Sequence, residues 1–202
     1  MDGHERERKR RFDVIKAMRV FLDFEASSLA EESYPIEVGW AAEDGSCEAH
    51  LIRPAPAWTD WDPVAAAVHG LSREHLRQAG EPHEEVARRV LEALGPHELF
   101  ASAPSWDGKW MSVLLRGAGL PRHALRLRDS DEAYREAVRE ALCDRVSDDE
   151  LDDVAAALIY AARRRVNVDP PRHRALDDAR EELEVWRLVR ALSLEEARRR
   201  RG

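Results

Sequence analysis

The residues best placed to do chemistry together in this chain are Asp23 and Glu25, two carboxylates inside the otherwise apolar run Val20-Phe21-Leu22-Asp23-Phe24-Glu25. An extended strand sends alternate side chains to opposite faces. Val20, Leu22 and Phe24 therefore share one face, and Asp23 and Glu25 share the other. At about 3.3 Å of rise per residue the two acids start roughly 6.6 Å apart, a gap that one or two hard cations can span. Like charges on an apolar strand are costly unless a cation or hydrogen-bond donors compensate them. An edge strand with a wet acidic face is the other reading of the same residues.

Two further acids stand at the starts of predicted helices. Asp107 follows the short apolar strand Leu99-Phe100-Ala101, and Asp178 opens the last long helix, with His173 in the loop ahead of it. An acid in a first helical turn is favoured by the helix dipole and needs no chemistry to explain it.

In this order the motifs resemble those of the DEDD 3′-to-5′ exonucleases, in the subgroup marked by histidine. The likeness rests on Phe21-Leu22-Asp23-Phe24-Glu25, on Ser105-Trp106-Asp107-Gly108-Lys109-Trp110, and on His173-Arg174-Ala175-Leu176-Asp177-Asp178-Ala179. It extends from about Arg19 to Leu192. The third motif is the most specific, with histidine five positions before the aspartate. The subgroup with tyrosine four before is excluded, because that position is Arg174.

The resemblance implies a single α/β domain with a ribonuclease H-like mixed β-sheet flanked by helices. It implies that Asp23, Glu25, Asp107 and Asp178 bind two divalent cations, Mg²⁺ or Mn²⁺, and that His173 is the general base. Ions of this kind prefer oxygen ligands, and a pair about 3.5–4 Å apart stabilises both the attacking and the leaving oxygen of a phosphodiester. Imidazole, with an unperturbed pKa near 6.5, is partly free to accept a proton at neutral pH. Asp177 is the rival for Asp178, and the motif register selects Asp178. Substrate contacts are implied for the Ala26 backbone, Leu29 and His69. The partner implied is the 3′ end of single-stranded DNA or RNA, cleaved to nucleoside 5′-monophosphates.

There are departures. Ser102-Ala103 stands where relatives carry histidine and asparagine, and Ala26-Ser27-Ser28-Leu29 where they carry Thr-Thr-Gly-Leu. Two alternatives remain open: an oligoribonuclease-like enzyme acting on very short RNA, whose third motif is closely similar, and a non-catalytic nucleic-acid-binding or interaction module of the same fold.

The elements that must position these groups read as strands first, then strands alternating with helices. Ile36 to Ala41 and Cys47 to Ile52 form a hairpin about Asp44-Gly45. Asp62-Pro63 starts a helix that His69-Gly70-Leu71 breaks, and Ser72-Arg73-Glu74-His75 starts another short one. Trp58 and Trp61 are expected to cap the core. Glu84 to Leu94 is an amphipathic helix, and Ser105 is expected to cap the helix bearing Asp107. Leu125 to Leu127 reads as the last strand. Helices follow over Asp131 to Leu142, from Ser147 to about Ala162, and from about Ala175 to Leu192, with a rigid break at Asp169-Pro170-Pro171.

The 202 residues suit one domain: a charged leader over 1–16, the exonuclease domain over 17–195 and a basic tail over 196–202. A net charge of -8 argues against a nucleic-acid binder that works by charge alone, although bound cations would invert the sign locally. Cys47 and Cys143 lack metal-ligand spacing and fit a reducing cytoplasm. The longest apolar run, Val154 to Ala162, is too short to cross a bilayer, so no membrane partner is expected. Oligomeric state is not legible.

Overall fold

The computed structural model describes residues 17–166 and 173–201. The expected leader and the Asp169-Pro170-Pro171 break lie outside the described residues.

Strands β1 (Arg19–Ala26), β2 (Pro35–Ala42) and β3 (Cys47–Arg53) form an antiparallel meander, with Gly45 in the left-handed region at the β2–β3 turn, φ 92°. Helices α1 (Pro63–His69) and α2 (Arg73–Ala79) follow, then the two-residue β4 (Glu81–Pro82), α3 (His83–Leu94), β5 (Glu98–Ala101) and α4 (Pro104–Gly117). The chain continues through β6 (Leu127–Asp129), α5 (Ser130–Leu142), α6 (Asp148–Val166) and α7 (Ala175–Arg199).

The six strands lie in the order β4-β3-β2-β1-β5-β6, with β5 parallel to β1 and β6 parallel to β5. The sheet is therefore mixed, and β1 lies inside it with helices on both sides. Val20, Leu22 and Phe24 pack with Val86 and Val90 of α3 and Met111 and Leu114 of α4. Phe21, on the opposite face, packs with Tyr134 of α5 and Trp186 of α7. The alternation read from β1 is thus the alternation between two cores, and β1 is not an edge strand. Among the described residues no helix is long and apolar enough to cross a membrane.

Caps set several element ends. The Asp62 carboxylate accepts the Val64 N–H at 2.8 Å, Pro63 takes the first helical position, and Gly70 leaves α1 at φ 71°. Ser72 accepts from the His75 N–H at 3.1 Å. Trp58 and Trp61 pack, partly buried, over a small core of Tyr34, Ile36, Leu71 and Leu76.

Several boundaries differ from the sequence reading, among them the end of α6, which runs on from Ala162 to Val166, and three have a visible cause. Ser105 does not cap α4: the cap position is Ala103, and Pro104 fills the first turn because it has no N–H to satisfy. The last strand starts at Leu127, set by its pairing with Leu99 of β5. The final helix runs on past Leu192 to Arg199, because the buried Ser193 hydroxyl donates to the Val189 carbonyl at 2.8 Å and is satisfied inside the helix.

Candidate metal centre

Asp23 and Glu25 point to the face of β1 on which α7 packs. Directly opposite them on β2 stand Gly39 and Glu37. A Cβ on Gly39 would lie 2.3 Å from the Leu176 nitrogen and 2.6 Å from the Ala175 carbonyl carbon, so the bare backbone there is what lets the start of α7 lie on the sheet. Asp178, in the first turn of α7, thereby reaches the strand acids. Carboxylate oxygens of Asp23, Glu25 and Asp178 lie within 4.8 Å of one another.

Glu37 holds that helix end in place. Almost fully buried, it accepts from Arg174 Nε at 2.9 Å and Nη2 at 2.5 Å, and from the Ala175 N–H at 3.2 Å. The forked guanidinium matches the carboxylate in two parallel bonds, which fixes direction as well as distance. His173, immediately before this clamp, is held at φ 47°. A non-glycine residue there is strained by about 1–2 kcal/mol and needs surrounding contacts to keep it.

Asp107 comes from the other side of the sheet. It is 1% exposed, and its Oδ1 accepts the Phe24 N–H at 3.3 Å, between the two strand acids in sequence. Its Oδ2 is buried with no hydrogen-bond partner. A buried carboxylate oxygen left without a donor is costly, and a cation would satisfy it.

The electrostatics agree with the geometry. Burial pushes Glu25 up to about 7, helped by the charges of Asp178 and Glu37 and opposed by Arg174. Burial also pushes Asp107 up to about 7, against the backbone donors that hold it down. Asp23 is raised well above the carboxylate range by burial and then by Asp107, Glu25, Asp178 and Glu182. Asp178 is raised by burial, with His173 pulling the other way. Four crowded oxygen donors that resist ionisation alone are a donor set for hard divalent ions, whose charge reverses that resistance.

Beside the acids is a pocket of about 300 Å³ lined by Glu25, Ala26, Leu29, Val64, His69 and Trp110, among others. Leu29, Val64 and Val68 are 69%, 71% and 51% exposed, an unusual concentration of apolar side chains at one opening. His69 accepts the Leu71 N–H at Nδ1, 3.1 Å, which places the ring proton on Nε2, a buried nitrogen with no partner. The loop bearing Leu29 is tied down by Asp60, which accepts from Ser27 Oγ at 2.7 Å and Ser28 Oγ at 2.6 Å. From α4, Lys109 donates to the Ala30 carbonyl and Trp110 Nε1 to Ser33 Oγ.

The structure thus brings together Asp23, Glu25 and Asp178, sets Asp107 against the same strand, and puts Ala26, Leu29 and His69 on one adjoining pocket. His173 begins the segment that carries Asp178. Asp177 is absent from the three-acid cluster. Sequence reading missed Glu37, Gly39, Lys109 and Trp110. The Lys109 and Trp110 signal was present in the second motif, whereas Glu37 and Gly39 look like ordinary members of a strand.

No protein-family model matches the sequence, and no curated protein matches it. Solved structures do. The zinc-bound form of the E. coli exonuclease I–ssDNA complex superposes with a TM-score of 0.63 at 14% identity, covering 87% of this chain and 41% of that one. Exonuclease I from Methylocaldum szegediense gives a TM-score of 0.62 at 16% identity over 87% of this chain and 40% of that one. E. coli exonuclease I with a dA16 oligonucleotide gives 0.62 at 14%, over 90% and 43%. The fold is that of these ribonuclease H-like exonucleases, and the chain spans about two-fifths of their length.

Proposed function

We propose that this chain is a divalent-metal-dependent 3′-to-5′ exonuclease that releases nucleoside 5′-monophosphates from single-stranded nucleic acid. The observation that carries the reading is the convergence of Asp23, Glu25 and Asp178 oxygens within 4.8 Å, from a strand and a helix more than 150 residues apart in sequence. With Asp107 they would hold two ions, Mg²⁺ or Mn²⁺. Such ions, when bound, supply charge stabilisation at the scissile phosphate and lower the pKa of a water nucleophile.

The chain's own groups do the rest. His173 takes the proton from the attacking water, and the Arg174–Glu37 clamp orients the backbone that carries it. The terminal nucleoside sits in the pocket next to Glu25: Leu29, Val64 and Val68 cover its base, the Ala26 backbone meets the sugar, and the His69 Nε2–H offers a donor. Apolar contact on a base face is sequence-tolerant, which suits an enzyme that removes successive nucleotides.

Structural neighbours solved with single-stranded DNA, including a dA16 oligonucleotide, support single strands longer than a dinucleotide as the substrate. The test uses a 5′-labelled oligonucleotide with Mn²⁺. Stepwise shortening that stops on chelation and is lost in Asp178→Asn is expected. Binding without shortening would instead favour a non-catalytic module. DNA and RNA strands from dinucleotides upward, run side by side, assign sugar and length preference.

A further inference from the structure

Glu182 lies one turn beyond Asp178 on α7, and residues four apart share a helix face. Four residues further, Trp186 meets Phe21 at 6.3 Å between ring centroids, and Phe21 shares the α7-facing side of β1 with Asp23. Glu182 is therefore carried over the Asp23 end of the site, between Asp178 and the aromatic core.

Glu182 is also held there. Tyr134 of α5, fully buried and stacked on Phe21, donates its hydroxyl to Glu182 Oε2 at 2.7 Å. Among the described residues the Tyr134 hydroxyl is the side-chain partner of Glu182, and no basic side chain pairs with it. The three-acid cluster accounts for the ligands of one ion. Asp107 stands outside that cluster with a buried, unpartnered Oδ2, which points to a second cation on its side.

We propose that Glu182, oriented by Tyr134, is a fifth carboxylate of the metal centre, holding the second divalent ion with Asp107 and Asp23 by accepting from that ion's bound water. Small hard ions keep several waters, and partners of this outer kind tune affinity by about 10–100-fold. The inference rests on the metal-dependent reading above.

The test is Mn²⁺ binding to the full chain by calorimetry and by electron paramagnetic resonance of free Mn²⁺, in the presence of a nucleoside 5′-monophosphate. Wild type is expected to take up two ions. Glu182→Gln should weaken only the second by about 10–100-fold, and Tyr134→Phe, which keeps the charge but frees the carboxylate, should weaken the same site less. In chelator, Glu182→Gln should melt higher than wild type, and the rise in melting point on adding Mn²⁺ should shrink. Two ions bound to Glu182→Gln and Tyr134→Phe with wild-type affinity would overturn this inference alone. A wild-type chain that takes up no Mn²⁺ would overturn the metal-dependent reading and this inference with it.

Discussion

Without metal, the candidate site should be a pH-dependent weak point, and Asp107→Asn isolates the effect. Burial holds Asp107 at about 7 against an ordinary 3.8, and Glu25 at about 7 against 4.5. Between the ordinary and the folded value each acid is protonated in the native chain and ionised in the unfolded one. Stability is therefore complete below about pH 4 and drains away as pH rises towards 7. At about 1.4 kcal/mol per pKa unit, Asp107 alone accounts for an upper bound of roughly 4 kcal/mol, and its coupling to Asp23 brings a realistic figure to about 2–3 kcal/mol. In a chain of this size that is about 5–10 °C in melting point. Asn keeps an oxygen for the Phe24 N–H but carries no charge. In chelator, thermal melts should show Asp107→Asn only slightly above wild type at pH 4.5 and higher by about that margin at pH 8. Saturating Mn²⁺ should reverse the order at pH 8, because only wild type gains binding energy from the full donor set. Wild-type and Asp107→Asn melting points that run parallel from pH 4.5 to 8 in chelator would refute the reasoning.

Other perturbations have distinct signatures. His173→Ala should lower kcat by about 10²–10⁴-fold while Mn²⁺ affinity, read by calorimetry, stays close to wild type, since the imidazole is assigned to proton transfer. Gly39→Ala puts a methyl group against backbone that cannot move cheaply; a loss of about 3 kcal/mol by denaturant unfolding is expected, with weaker Mn²⁺ uptake as α7 lifts. Arg174→Ala leaves Glu37 buried beside Glu25 without its partner and should cost about 2 kcal/mol after allowance for the half-open guanidinium. Arg174→Lys should recover only part of that loss, because an ammonium cannot make the two parallel bonds.

The first motif was legible because its alternation is the physical signal itself: β1 separates two cores, and its acids face one of them. Asp107 and Asp178 were legible through order and spacing more than through local physics, since a first-turn acid is favoured in any helix. Gly39 and Glu37 were not. Within Ile36-Glu37-Val38-Gly39 nothing local distinguishes a clamp and a landing place for a helix from a plain strand, and their meaning depends on Leu176 and Arg174, more than 130 residues away. Glu182 is hidden differently, among the acids of a charge-rich helix whose exposed and buried sides only packing separates. The misread ends have plain causes: Ser105 looks like a cap until Pro104 takes the first helical position, and Leu192 looks like an end until the Ser193 hydroxyl finds its partner inside the helix.

Crystals of the chain grown with Mn²⁺ and a nucleoside 5′-monophosphate, with data collected to reveal manganese by anomalous scattering, bear most directly on whether these acids form one catalytic centre. Two peaks about 3.5–4 Å apart are expected, touching Asp23, Glu25, Asp107 and Asp178, with the nucleotide in the Leu29–His69 pocket. Manganese elsewhere on the acidic surface with that cluster empty, or a nucleotide bound away from it, would contradict the proposed exonuclease.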